Sequence, residues 1–578
     1  MYLLGIHDGH NASAALMKDG EILDAIQEER FNKIKNFGGF PENSISYILK
    51  KNNLNIDQID RFVFGGLLSN AEGQENRERV LTKYKNNFYN KPSFFQFLKK
   101  KLITIFPKFI LNIRKNLKIK LLQKKRIKNL LSKGASLQKI DFIDHHLCHA
   151  STAAYGSGNN KDTLVITLDS TGDFSSGSVS IFKNHDLKKI LDIHSDDSIG
   201  RLYSYVTYYL GMVPLEHEYK IMGLAPYSEN SIRSKEISNF FRDMYYFENE
   251  ISFKISKKIW SAKNLGKYIL LGLKQKRFDN ISSGLQVFLE EFICEWIEKL
   301  VKHTNIRHLA LSGGVFMNVK LNKKISEMKC IDSVFVYPSC GDETNSIGAL
   351  YRKYFELTEK RPKKLNSFYL GNSYKNEAIK KQYEKFKFQN FKTKICYYEN
   401  IEEKIANLIF ENNIVARFKG RMEFGARSLG NRAILCNPKN ISLVKEINYI
   451  IKNRDFWMPF APSVVNAKKY LVNPKDVNME FMMIATNFKS DFENLFIGVS
   501  HPYDSSCRPN VVNENSNYDY YKLIKYYEDL SSHSIILNTS FNLHGLPIVC
   551  EPSDAFHVLD NSGLEYLAIE NYLIEKTQ

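Results

Sequence analysis

The sequence predicts an α/β protein of two lobes, the first built from a duplicated unit. Three observations carry this. A chain of 578 residues exceeds what one hydrophobic core usually serves, since domains cluster near ~150 residues. The strand–turn–strand pattern of the N-terminus, YLLGI, HDGHN, ASAALM, returns in TLVITLDSTGDFSSGSVSIFKNHDL at Thr163–Leu187. In the last third, strand-like runs such as NIVARF and SIILNTSFN alternate with helical ones, the mark of an α/β lobe. A composition 43% hydrophobic and 13% aromatic supplies apolar side chains for such cores.

In chain order, YLLGI and ASAALM read as strands around a polar turn, and KDG leads into a third strand, EILDAI. KIDFI is a further strand, and DHHLCHASTAAYGSG opens a helix near Asp144. The second hairpin copy follows, and then a mostly helical stretch over 228–278. IRHLALSGGVFMNVKL, at Ile306–Leu321, places a glycine turn after a short apolar strand; such a backbone-rich turn can approach phosphate closely. TEKRPKKLNSFYLGNS, with its proline, cations and polar run, marks the boundary between a lobe at 1–362 and a lobe at 363–578.

The net charge of +18 suggests nucleic acid until it is mapped. From Arg79 to Lys139 there are 18 Lys and Arg and no Asp or Glu, so the rest of the chain is balanced. Basicity therefore belongs to one insertion, about 79–140, and no nucleic-acid partner is expected. Phe94–Leu131 mixes these cations with aromatic and aliphatic residues and reads as helix broken at Pro107. It suits peripheral contact with an anionic membrane, each cation adding ~1 kcal/mol. A solvated helical insertion with one apolar face on the body fits the pattern too.

The eight cysteines are scattered with no CxxC pair, which argues for reduced thiols and a cytoplasmic setting. The N-terminus lacks the charged start and long apolar region of a signal peptide. No apolar run approaches the roughly 18 residues of a spanning helix.

Two constellations carry chemistry. On a helix starting near Asp144, His145 and His149 stand four apart and share a face, the spacing of two imidazoles on one metal. His146 points about a quarter turn away, as a hydrogen-bonding neighbour. Carboxylates from elsewhere must complete a shell, and Asp169 and Asp342 both follow apolar strands, where a strand end delivers a side chain to a cleft. Such His and Asp ligands are compatible with iron, zinc or manganese. In the second lobe Arg417, Lys419, Arg421, Arg427, Arg432, Lys452, Arg454 and Arg508 cluster by motif, joined by Asn538, Thr539 and Asn542. Arginine forks suit phosphate oxygens. There is no GxxxxGK[ST] loop and no GxGxxG fingerprint, so a polyphosphate must be held in another way.

In order along the chain, LLGIHDGHNASAAL, EERFNKIKNFGGFP, DHHLCHASTAAYGSG, HEYKIMGLAPY, LSGGVFMN, GRMEFGARSLGNRAIL, WMPFAPS and LNTSFNLHGLPIV together resemble the NodU/CmcH family of carbamoyltransferases. The resemblance covers nearly the whole chain apart from the basic segment and part of 228–280. It implies an N-terminal lobe of actin/Hsp70-like fold and a C-terminal lobe similar to YrdC. It implies that ATP and carbamoyl phosphate, with Mg, form carbamoyl-adenylate in the C-terminal lobe. The carbamoyl group then passes to a hydroxyl of a small-molecule or glycan acceptor at an iron site in the N-terminal lobe. By resemblance, His145, His149, Asp169 and Asp342 hold the metal. His10 is the base near the acceptor, and Lys220 offsets phosphate charge. Arg417, Arg427, Lys452, Arg454, Arg508 and Asn538 bind ATP and carbamoyl phosphate. The chain departs from the pattern at Met458, where many members have Arg, so Lys452 is expected to carry more of the phosphate contact. It departs again at Asn11, where some have Asp.

Overall fold

The computed structural model describes residues 1–68, 77–89, 108–473, 475 and 477–577, with the backbone alone at 77 and 108–115. The N-terminal lobe contains two five-stranded sheets. The first comprises β1 (Tyr2–His7), β2 (Ser13–Lys18), β3 (Glu21–Gln27), β4 (Arg61–Gly65) and β5 (Ile140–Ile143), in the order β3-β2-β1-β4-β5. In the second, β6 (Thr163–Gly172), β7 (Ser175–Lys183) and β8 (Asp186–His194) precede a separate small hairpin, β9 (Tyr245–Phe247) with β10 (Phe253–Ile255). β11 (His308–Ser312) and β12 (Ser333–Val336) complete the second sheet in the order β12-β11-β6-β7-β8. Both sheets place an antiparallel meander of three strands beside two parallel strands. The duplication predicted from the hairpin pattern is therefore a duplication of whole sheets, as in the actin/Hsp70-like fold.

Helices His145–Gly156 and Asn345–Thr358 pack on one another between the sheets. Their close approach depends on small residues. A Cβ at Gly348 would lie 2.2 Å from the Cys148 carbonyl oxygen, and one at Gly5 would lie 2.1 Å from that of Ser346. Cys148 is wholly buried at this crossing, and all eight cysteines are free thiols.

The C-terminal lobe is built on an eight-stranded mixed sheet. Its strands are β13 (Lys392–Tyr397), β14 (Val415–Phe418), β15 (Arg432–Cys436), β16 (Ala461–Val464), β19 (Asn510–Val511), β20 (Ile535–Ser540), β21 (Tyr566–Ile569) and β22 (Tyr572–Thr577). The pair β17 (Thr486–Asn487) and β18 (Ser506–Cys507) stands apart. Separate apolar clusters cover the two sides of the large sheet, one gathering Phe418, Ile434 and Phe556, the other Val415, Leu435, Leu523 and Tyr527.

The basic insertion is anchored rather than pendant. Helix Arg77–Tyr89 buries Val80, Tyr84 and Phe88, with Tyr84 and Phe88 stacking on Tyr205 and Tyr208. Helix Lys108–Leu131 buries Arg126 and Leu130. The expected break at Pro107 lies outside the described residues. Among the described residues no helix is long and apolar enough to cross a membrane.

Candidate functional site

Helix His145–Gly156 begins where predicted. Asp144 is its N-cap, accepting from the Leu147 amide at 3.0 Å, a contact worth ~1 kcal/mol. The His145 amide donates instead to Asp173 Oδ2 at 2.8 Å, and the same carboxylate accepts from Leu67 and Leu68. Asp173 thus ties the helix start to the loop after β4, a role the sequence reading missed.

The structure brings His145, His149, Asp169 and Asp342 together, their ligand atoms all within 4.8 Å of one another. Asp169 lies where the β6–β7 register is interrupted, between Leu168 and Gly172. Asp342 opens a short 3-10 turn. His145 Nε2 is 3.4 Å from Asp169 Oδ2 and 3.5 Å from Asp342 Oδ1; His149 Nε2 is 3.4 and 3.3 Å from the same atoms. These separations are longer than charge-assisted hydrogen bonds of ~2.7–2.9 Å. They match donors arranged around one divalent ion at roughly 2.1 Å. The electrostatics agree. Burial opposes charge on His145, yet Asp342 and Asp169 outweigh it and raise its pKa to about 10. The carboxylates favour a positive charge in their midst, proton or metal. The donor set therefore suits a divalent cation.

Further residues orient the rings. Ser312 Oγ lies 3.3 Å from His149 Nδ1. Asn345 Nδ2 lies 3.4 Å from both His145 Nδ1 and His149 Nε2, and its Oδ1 is buried without a partner among the described residues. His146 bonds through Nδ1 to Thr167 Oγ1 at 2.9 Å, and burial pushes its pKa well down, so it stays neutral. It is the hydrogen-bonding neighbour the sequence predicts.

His10 sits half-buried in the turn after β1, its carbonyl 3.1 Å from His7 Nε2. Asn11, at φ 57°, sends Nδ2 to Glu343 Oε2 at 3.5 Å. Glu343 is wholly buried and its pKa is raised to about 7, chiefly by burial. Ser339 donates to Glu343 Oε1 and accepts from the Ala426 amide at 2.9 Å. The two lobes therefore meet beside Asp342, and Arg427, the residue after Ala426, feels the Glu343 carboxylate.

Across that seam Arg427, Arg454 and Arg508 converge. Burial is the largest influence on each, and their like charges act on one another. Guanidinium groups do not give up protons, so the repulsion persists until an anion relieves it. Arg427 Nε and Arg508 Nε are buried without hydrogen-bond partners among the described residues. Arg454 donates to Thr539 Oγ1 at 3.0 Å and lies over the Phe460 ring.

Other predicted anion ligands are already engaged. Lys452 is buried, with Nζ directed to Ser540 and 2.8 Å from Asn542 Oδ1. Its protons serve the protein, and burial together with the Arg454 charge pushes its pKa well down, so it offers no free phosphate contact. Arg417 is fully buried on β14, its Nη1 donating to the Gly430 carbonyl at 2.8 Å under Tyr520 and its Nη2 3.7 Å from Glu402 Oε1, while Nε and Nη2 have no hydrogen-bond partner among the described residues. Asn538 is 1% exposed and bonds Ser428 O and Ser463 Oγ. These two hold the loop that carries Arg427. Lys220 forms an ion pair with Asp455 at 2.9 Å across the seam. Met458 Sδ lies against Gly223, where a Cβ would stand 3.0 Å away, and Trp457 Nε1 donates to Lys220 O at 3.2 Å. The departure from Arg thus falls at an apolar contact between lobes.

A two-lobed α/β fold thus brings a His/Asp cluster and an arginine cluster to one seam, an arrangement that suits group transfer. Residues 2–351 match the family described as Carbamoyltransferase N-terminus, and residues 406–576 match Carbamoyltransferase C-terminus. The chain belongs to this carbamoyltransferase family. It is 32% identical to an uncharacterized protein of Methanocaldococcus jannaschii, with 100% of each chain covered. It is 27% identical to the nodulation protein NolNO of Sinorhizobium fredii over 98% of this chain and 79% of that one. Among solved structures, the T. kodakarensis HypF aligns at TM-score 0.33 and 11% identity, covering 62% of this chain and 48% of that one.

Proposed function

We propose that the protein is an ATP-dependent O-carbamoyltransferase acting on a hydroxyl of a sugar or glycan. The observation that carries this is the seam itself, where unrelieved arginines adjoin the loop that supplies Asp342. In the C-terminal lobe, water cleaves carbamoyl phosphate to carbamate and phosphate. A carbamate oxygen then attacks the α-phosphorus of Mg-bound ATP, the bond to the β-phosphate breaks, and pyrophosphate leaves. Arg427, Arg454 and Arg508 bind the phosphates and stabilise the charge that develops on them. Lys452 holds the Ser540–Asn542 turn beside Arg454, while Lys220 and Asp455 brace the adjoining wall.

The acceptor oxygen then attacks the carbamoyl carbon, the carbon–oxygen bond to AMP breaks, and His10 takes the hydroxyl proton as general base. Asn11 and Glu343 line this side of the seam. Iron or another divalent metal, held by His145, His149, Asp169 and Asp342, would supply Lewis-acid polarisation of the carbamoyl carbonyl.

Pyrophosphate release from ATP that depends on carbamoyl phosphate tests the reading. Its absence in protein that still binds ATP would count against it.

Helix Lys108–Leu131 also suits an anionic leaflet from the cytoplasmic side. Its outer face exposes Leu117 and Leu121 among Lys118, Lys120, Lys124 and Lys128. Because Arg126 and Leu130 are core residues, deleting the segment would damage the lobe. Replacing the exposed lysines with glutamate is the cleaner test. Equal flotation of variant and parent with anionic vesicles would remove the membrane reading.

A further inference from the structure

Resting on that reading, we propose that Arg126 is a positioning residue for the acceptor side, holding the turn that carries His10. It arises from helix Lys108–Leu131 of the basic insertion. Arg126 Nε and Nη2 each donate to Asp8 at 2.8 Å, one to each carboxylate oxygen, and both side chains are 0% exposed. Nη1 donates to the Gly66 carbonyl at 2.7 Å. The guanidinium lies 4.6 Å from the Phe64 ring centroid and 5.0 Å from that of Phe142.

The fork thus grips three things at once: the residue after β1, the end of β4, and the aromatic pair between β4 and β5. Asp8 stands two residues before His10. His7 lies against the same corner from the other side, Nδ1 3.1 Å from the Gly65 carbonyl and Nε2 3.1 Å from the His10 carbonyl, the single N–H of a neutral imidazole serving one of the two. The turn has no slack, since a Cβ at Gly9 would lie 2.8 Å from His7 Nε2. His10 is therefore placed by backbone held at Asp8 and packed against His7. A fully buried ion pair is weak evidence for stability, and its best-attested use is to fix one arrangement. A lysine at 126 would keep the charge but lose the planar fork.

The test uses the full chain as Arg126→Lys, with Asp8→Asn in parallel in case the lysine variant fails to fold. Amide hydrogen exchange is measured over 8–11 and over 163–183. Pyrophosphate release is measured with ATP and carbamoyl phosphate, and AMP release in the presence of a monosaccharide panel. Exchange over 8–11 should quicken roughly tenfold while 163–183 is unchanged. Pyrophosphate release should stay within about twofold, and AMP release should fall at least about tenfold through kcat rather than KM. Unchanged exchange over 8–11, or equal loosening of both segments, overturns the proposal. The exchange result stands whether or not the carbamoyl chemistry is correct. Failure of the functional reading shows instead as absent pyrophosphate release in the parent chain.

Discussion

The two halves of the seam are built on opposite electrostatic plans. On the N-terminal side two histidines face two carboxylates, and opposite charges stabilise one another whether or not a metal is bound. On the C-terminal side Arg427, Arg454 and Arg508 face one another, and two of them keep buried donors without partners among the described residues. The first arrangement is complete in side chains and needs one cation. The second is strained by like charge and is relieved by a polyanion. On the proposed reading, the centre that would hold a resident ion is pre-formed, whereas the centre that would bind and release substrates each turnover is left uncompensated.

Breaking the balanced half should have the largest effect. His145→Ala or His149→Ala is expected to lower carbamoyl transfer on the order of 10³-fold, because Lewis-acid stabilisation is worth several kcal/mol. Pyrophosphate release should persist, and elemental analysis should show the metal lost. Loss of both reactions together would show that the halves do not divide the chemistry.

Breaking the unbalanced half should do the reverse. Arg454→Ala or Arg508→Ala is expected to cut pyrophosphate release about 10–100-fold, the value of one charge-assisted contact. It should also leave the metal in place and raise the melting temperature of the ligand-free protein slightly by relieving repulsion. A lowered melting temperature would mean that the arginines hold the fold rather than the substrate.

The balanced half has a pH signature. His145 has its folded pKa raised from 6.5 to about 10, so its contribution to stability is complete below pH 6.5 and is lost as pH rises toward 10. Metal-free protein should therefore lose stability across that window. Protein loaded with a divalent cation should lose less, since the cation replaces the proton. Denaturant titrations at pH 6.5 and 9.5, with and without metal, read the difference, and parallel curves would argue against a shared cation site.

The smallest expected effect is at Met458. Met458→Arg would bring a further cation to the seam, but against Gly223. We expect KM for ATP or carbamoyl phosphate to change by less than about tenfold, with kcat unchanged. A large gain would show that the arginine cluster lacks a member.

Much of this was legible beforehand. The i, i+4 histidines were readable because a helix repeats on a face, and the hairpin repeat was readable because strands alternate and turns use Gly, Asp and Asn. Less legible was which cations are free. Arg417, Arg427 and Lys452 share residue type and motif context. Yet Lys452 is spent on Ser540 and Asn542, and Arg417 is tied through Nη1 to Gly430 beneath Tyr520 with Nε and Nη2 left without partners among the described residues, so that of the three Arg427 is the one with an unpartnered donor on the loop that meets Ser339. Asp173 and Asn345 were missed because their partners lie far away in sequence.

By itself, then, the sequence determined the α/β class, the duplicated unit, the histidine pair and a strongly basic segment, because local periodicity and composition encode these. The sequence also nominated Asp169 and Asp342, which the tertiary structure brings onto those histidines; the tertiary structure alone decided that Arg126 turns inward from its basic helix to pair with Asp8. It also decided which arginines remain uncompensated. Those outcomes depend on which buried charges meet across hundreds of residues, and the cost of leaving a buried charge unpaired selects the partner.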